Sequence, residues 1–174
     1  MCNYSYVYRA KEFLFTRPES SWLWLLVRLY LASVWIPAGW GKIMNPAWVG
    51  SEAGGAITGF VTGALAKTAG EHPDVLSGYA WFLSNLVMPM PALWSHVVAF
   101  GELAVGLGLL FGVFTTAAVA GGLLMNFAFL FAGTVSINPL LVVLELPLLV
   151  AYRTSGRIGL EALWCHTREG KTKQ

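Results

Sequence analysis

Long apolar runs, separated by short polar or proline- and glycine-containing breaks, account for most of this chain. Four of them predict membrane-spanning helices, at about 22–40, 92–111, 116–132 and 140–152. The last three are joined by short links, which make successive helices antiparallel neighbours. Tryptophans near the two ends of the first run suggest an aromatic belt, at Trp22, Trp24, Trp35 and Trp40. We therefore expect an all-α, integral membrane four-helix bundle that forms one domain over residues 1–174.

The segment between the first two predicted spans, residues 42–91, is more polar. Its apolar stretch between Glu52 and Lys67 is too short to cross a bilayer, and a second such stretch covers 78–88. We expect each stretch to form a short helix at the outer surface. Glycines at every fourth position predict a smooth packing face on the first helix, at Gly55, Gly59 and Gly63.

Composition and charge place the chain in the membrane class. It is 56% hydrophobic and 11% charged, whereas soluble domains carry about 25% charged residues. The net charge of +2 is too small to indicate a nucleic-acid partner. Lysines and arginines are concentrated in the tails 1–21 and 153–174, so the positive-inside rule predicts that both termini are cytoplasmic. The expected environment is the lipid bilayer of the cell membrane, crossed several times.

Three charged side chains interrupt the predicted spans, namely Arg28, Glu102 and Glu145. Such a charge costs about 2.5–3.5 kcal/mol at the centre of a membrane helix, and charges that persist there usually face one another. Counting the helical rise puts Arg28 roughly 9 Å into the first span and Glu102 near the midplane. We therefore predict that Arg28 pairs with Glu102, that Glu145 lies above them, and that Asn126 bridges the two carboxylates.

The same count identifies Glu145 as a candidate proton donor or relay. One arginine cannot neutralise two carboxylates, so the carboxyl farther from Arg28 is the better candidate for a protonated group at neutral pH. Simpler interpretations stay open: a structural Arg28–Glu102 ion pair, a Glu145 that faces water, and an Asn126 that only links two helices. The sequence contains no haem, flavin or metal-binding motif.

Short glycine-rich motifs accompany these polar residues. After Arg28, the first span ends in Gly39-Trp40-Gly41-Lys42, and the second contains Gly101-Glu102 followed by Gly106, Gly108 and Gly112. The third carries Met125-Asn126. In this order and four-span layout the chain resembles the DoxX/DoxD family of small four-helix membrane proteins, over roughly residues 22–160.

The resemblance implies a role like that of the membrane subunit of a thiosulfate:quinone oxidoreductase. Quinone would be the cofactor, Arg28, Glu102 and Glu145 the catalytic groups, and Lys42 and Asn126 the substrate-binding groups, with Lys42 the cation at the outer mouth. A partner subunit or a second copy is expected, because the chain has no redox centre of its own. Two alternatives remain: a non-catalytic membrane anchor or scaffold in a larger redox complex, and a small-solute or proton pathway.

Overall fold

The structure is a computed structural model that describes residues 3–162, and every regular element in this part of the chain is helical. The rest of the predicted C-terminal tail, residues 163–174, lies outside the described residues. The helices are α1 (Asn3–Thr16), α2 (Ser21–Ile43), α3 (Gly55–Leu65), α4 (Ser77–Phe82), α5 (Pro91–Phe111), α6 (Thr115–Phe131), α7 (Asn138–Val150) and α8 (Tyr152–Ser155). Short 3₁₀ turns precede α2 and follow α3, and a π-helical turn at Leu83–Val87 continues α4.

Two helical segments are long and apolar enough to cross a membrane, Pro18–Ile43 and Pro91–Phe111. The apolar helices α6 and α7 have 17 and 13 residues, which correspond to about 25 Å and 20 Å of helix. Within residues 3–162, length alone therefore identifies two candidate spans, whereas the sequence predicts four. All four helices lie close to their predicted positions.

Helices α2 and α5 approach each other through glycine. A Cβ atom on Gly39 would collide with the backbone of Leu103, and one on Gly106 would lie 2.8 Å from the backbone nitrogen of Ile36. Small residues at such crossings let helix backbones pack closely where lipid removes the usual hydrophobic drive. The main core surrounds this pair and includes Leu31, Leu109, Val119 and Leu148, all fully buried.

The predicted outer segment folds as a small layer with its own core. Ile57, Val61 and Ala64 of α3 pack with residues of α4 and the π turn. The layer is fastened to the end of α6, where Tyr79 Oη donates to Ala128 O at 2.8 Å and Lys67 Nζ to Gly133 O at 2.6 Å. Ala128 lies in the last turn of α6 and Gly133 just beyond it, so both bonds attach the layer to the C-terminal end of this helix.

The sequence predicts that the α3 glycines form a packing face, and for contacts inside this chain that prediction is wrong. Apart from the neighbouring residues and backbone of α3 itself, no atom of the described residues lies within 4 Å of a Cβ built on Gly59 or Gly63, so this face is open. The opposite face, with Ile57 and Val61, is buried instead. The physical reason is that branched aliphatic side chains remove more apolar area from solvent than glycine does.

Candidate functional site

Three polar residues of α2 are spaced seven apart, at Arg28, Trp35 and Lys42. Seven residues make nearly two helical turns, so the three side chains leave the same side of α2 at levels about 10 Å apart. The N-terminus of α2 and the C-terminus of α5 lie at the same end of the bundle, which we call the inner end. The opposite end is called the outer end. Each of the three residues contacts a different partner at its own level.

At the inner end, Arg28 is fully buried, and its hydrogen bonds within the described residues all go to backbone carbonyls, while Nη2 has no partner there. Its Nε donates to Leu109 O at 2.9 Å, and its Nη1 donates to Ser155 O at 3.0 Å and to Ile158 O at 2.7 Å. The predicted Arg28–Glu102 pair is therefore wrong.

The direction of the side chain explains this difference. In an α-helix, long side chains tilt toward the helix N-terminus, so Arg28 points away from Glu102 and toward the inner end. The carbonyl of Leu109 belongs to the last turn of α5, where carbonyls have no intrahelical donor and the helix dipole favours a cation. Counting the rise along α2 gave the level of the Arg28 backbone but not the direction of its side chain.

Toward the outer end, Glu102 pairs with Lys42 instead. The Nζ atom of Lys42 is 2.5 Å from Oε2 of Glu102, whose side chain is almost completely buried. Lys42 tilts back into the bundle for the reason that applies to Arg28, and its ammonium also lies 5.2 Å from the ring centre of Trp48. The cation predicted for the outer mouth is thus already engaged by a carboxylate of this chain.

Glu145 of α7 is fully buried and is bonded to two neutral donors. Trp35 Nε1 donates to its Oε1 at 3.0 Å, and Asn126 Nδ2 donates to its Oε2 at 2.8 Å. Within residues 3–162, no cation lies within ion-pair distance of this carboxyl. We call Trp35, Asn126 and Glu145 the Glu145 site.

A glycine on α6 makes room for this carboxyl. A Cβ on Gly122 would lie 2.6 Å from Oε1 of Glu145 and 3.3 Å from Cγ1 of Val105. Gly122 is one turn before Asn126 on α6, so the same helix face provides both the space and a hydrogen-bond donor. The Glu145 site therefore depends on α2, α6 and α7 together.

Two members of the Glu145 site differ from expectation. Trp35, predicted to join an aromatic belt, is only 3% exposed and lies in the core; its position seven residues after Arg28 is the signal that could have identified it. Asn126 bonds to Glu145, so the predicted bridge to Glu102 is not formed. The second polar atom of the Asn126 amide, Oδ1, is buried and has no hydrogen-bond partner in the part of the chain that the structure describes.

An open apolar groove of about 540 Å³ runs between α5 and α6 near the inner end. Ala104, Val105, Phe111, Phe114 and Ala117 are among its lining residues. Phe114 has φ of +49°, a left-handed backbone conformation that is uncommon for a bulky residue, and its ring is 67% exposed. Val105 also lies beside the Gly122 position that adjoins the Glu145 carboxyl, so this one residue is both part of the groove lining and close to the Glu145 site.

The comparisons with known proteins give one match. A sequence model of the DoxX family matches residues 23–134, which extend from α2 to just beyond α6 and include Arg28, Trp35, Lys42, Glu102 and Asn126. No curated protein and no solved structure was found to match the chain. The family match covers well over half of the 174 residues and agrees with the resemblance drawn from the glycine motifs and the buried charges. The chain belongs to the DoxX family of membrane proteins.

Proposed function

We propose that the protein is the membrane subunit of a quinone-linked oxidoreductase and that Glu145 carries protons to the quinone. The observation that carries the proposal is a fully buried carboxyl that has no cation within ion-pair distance in residues 3–162 and lies close to Val105, a residue that lines an apolar groove. Ionisable groups kept inside membrane segments without a structural partner usually serve ligands or protons. The other two intramembrane charges are engaged, Arg28 by carbonyls and Glu102 by Lys42.

The proposed arrangement has four membrane-spanning helices, α2, α5, α6 and α7, with both termini cytoplasmic. The exposed faces of the two shorter helices support it, since Leu124 and Phe131 of α6 and Val143 and Val150 of α7 are each more than half exposed. Apolar surface of this kind is typical of contact with lipid. The turn of α8 lengthens the helical path after α7.

The groove fits an apolar ring that carries a lipid tail. Its volume lies within the range of about 300–1,000 Å³ that is typical of small-molecule sites. Its lining is almost wholly apolar, and Phe111 and Phe114 offer aromatic surfaces against which a flat ring can pack. Its lining residues Phe111, Phe114 and Ala117 are exposed, which would let a hydrophobic ligand enter from the bilayer.

Reduction of a quinone consumes two electrons and two protons, and protons cross a dry protein interior only through groups that bind them. In the proposed role, Glu145 gives a proton toward the groove when Val105 moves aside and is then protonated again. Trp35 and Asn126 hold the carboxyl in place. The Lys42–Glu102 pair is the proposed second carrier and the site that an anionic donor such as thiosulfate would meet first. Electrons come from that donor or from a partner subunit.

A pair of tryptophan substitutions on α6 tests quinone binding. Ala117 lines the groove, whereas Ala120 lies on the same helix, is also exposed and is not among the groove residues. We expect purified wild-type protein and Ala120→Trp to carry quinone in near-equimolar amount after lipid extraction, and Ala117→Trp to lose most of it. Absence of quinone from the wild-type protein, or equal retention in both variants, would refute the groove as its site.

Proton delivery is tested separately with Glu145→Gln, which keeps the size and hydrogen-bonding capacity of the side chain. We expect it to retain bound quinone and to lose thiosulfate-dependent quinone reduction in membranes. Full activity in this variant would argue against the proton role. If activity belongs to a co-purified partner and survives both Glu145→Gln and Ala117→Trp, the protein is an anchor for that partner.

A further inference from the structure

We propose that Asn126 is a positioning residue whose side-chain amide turns over when Glu145 binds a proton. The inference rests on the proposed role of Glu145 as a proton carrier and adds the device by which the site holds both states of the acid. It is carried by the geometry of the Glu145 site and by one orphaned atom, Oδ1 of Asn126.

The hydrogen bonds present in the structure suit an ionised Glu145. A carboxylate can only accept hydrogen bonds, and here each oxygen accepts one, from Trp35 Nε1 and from Asn126 Nδ2. Gly122 of α6 and Val105 of α5 also border this space. None of these four residues is charged or titratable.

A protonated Glu145 needs a different set of partners. Its O–H becomes a donor, while both oxygens can still accept hydrogen bonds. When the proton is on Oε2 and is directed at Asn126, it faces Nδ2, which is also a donor. The indole of Trp35 has no acceptor to offer, whereas the amide of Asn126 has one. Rotation of the amide by half a turn brings Oδ1 to the O–H and removes this conflict. The terminal torsion of asparagine is broad and roughly two-fold, which favours such a rotation.

The unpaired oxygen gives the amide a free acceptor next to the acid. Most buried side-chain polar atoms are hydrogen-bonded, whereas Oδ1 of Asn126 is one of six such atoms without a partner among the described residues, and it belongs to the amide that already contacts Glu145. Here the ionised state leaves Oδ1 without a donor, and the turned state would leave Nδ2 without an acceptor. Because each state has one unsatisfied amide atom, the amide favours neither state strongly, as a proton carrier requires.

Infrared difference spectroscopy on the full-length protein in lipid vesicles, with ¹³C-labelled asparagine, tests the proposal without a quinone or a reductant. As pH falls, the C=O band of protonated Glu145 should appear, identified by its absence in Glu145→Gln. With the same midpoint, one ¹³C-sensitive amide carbonyl band should move to lower wavenumber, because Oδ1 passes from unbonded to bonded. That band should be missing in Asn126→Leu and unchanged in the matched control Asn138→Leu, whose amide donates to Thr134 O.

A second variant separates a turning amide from a merely structural one. Trp35→Phe removes the other donor to Glu145, so it should change the Glu145 band while the Asn126 band still moves in step with it. If Glu145 titrates and no asparagine band follows, the amide does not turn and the inference is wrong, while the proton role survives. If Glu145 does not change protonation at any pH at which the protein stays folded, both are wrong.

Discussion

Arg28 fastens the segment after α7 to the inner end of α5, so replacing it should release that segment. Two of its three hydrogen bonds hold the carbonyls of Ser155 and Ile158, and the third holds Leu109. We consider Arg28→Met, which keeps a long side chain but offers no donor. The change leaves three carbonyl oxygens at the inner end without their present donor.

The expected loss follows from these three contacts. A buried acceptor that loses its partner costs about 1–3 kcal/mol, so three of them set an upper limit of roughly 9 kcal/mol. Part of this loss is offset, because burying a charged guanidinium costs free energy and the variant no longer does so. In the described residues, no carboxylate lies within ion-pair distance of Arg28 to compensate that cost. Carbonyls near the surface also regain water when the segment opens. We therefore expect a net loss of about 3 kcal/mol in the stability of the closed segment.

Trypsin cleavage after the exposed Arg157 measures this opening in detergent or bicelles. Cleavage follows the population of the open form when reclosing is fast, so about 3 kcal/mol corresponds to acceleration of roughly a hundredfold. The control is Arg153→Met, which removes an exposed arginine whose hydrogen bond and cation–π contact among the described residues are with the neighbouring Tyr152, and it should leave the rate unchanged. Equal cleavage rates in wild type and Arg28→Met would refute the role assigned to these carbonyl bonds.

Three further predictions concern other contacts. Lys42→Met leaves Glu102 buried without its cation and should lower the free energy of unfolding in detergent by about 3 kcal/mol, and Glu102→Gln in the same chain should restore much of it. Gly122→Ala puts a methyl group against the Glu145 carboxyl and should shift the infrared bands of that group; an unchanged spectrum would count against the close approach. Burial raises the pKa of the Tyr79 phenol, so the folded state holds that proton more tightly. Stability should therefore fall as pH rises above about 10, and this fall should be smaller in Tyr79→Phe when unfolding is measured across that range.

Much of the helical layout is predictable from the sequence. The second predicted span, 92–111, differs by one residue from α5, because Pro91 and Gly112 are strong start and stop signals. The fourth, 140–152, is displaced by two residues from α7, since the helix already begins at Asn138, just before Pro139. The first and third differ by no more than three residues at either end. These helix boundaries are set by residues near each helix end, so they can be predicted from one sequence without knowledge of the tertiary contacts.

The residues of the site are also predictable, but their partners are not. Arg28, Glu102 and Glu145 are recognisable because charge is rare in apolar segments, and all three are buried. Pairing depends on the direction in which each side chain leaves its helix and on the rotation of the helices about their axes. Neither quantity is contained in a count of residues along a span. The predicted belt position of Trp35 is wrong, because a large apolar side chain with one N–H is equally suited to the membrane interface and to a buried core.

The seven-residue spacing on α2 links these results. Each of the three residues has its own partner at its own level. Arg28 binds carbonyls at the inner end, Trp35 binds Glu145, and Lys42 binds Glu102. A shift of α2 by one turn, about 5.4 Å, would break all three sets of contacts at once. Lipid surroundings give little hydrophobic preference for one register over another, so polar contacts have an unusually large share in fixing it. Two of the three contacts involve a charge that α2 itself provides. The third gives Glu145 a neutral N–H, which fixes the position of the carboxyl without compensating a charge on it, as the proposed proton role of Glu145 requires.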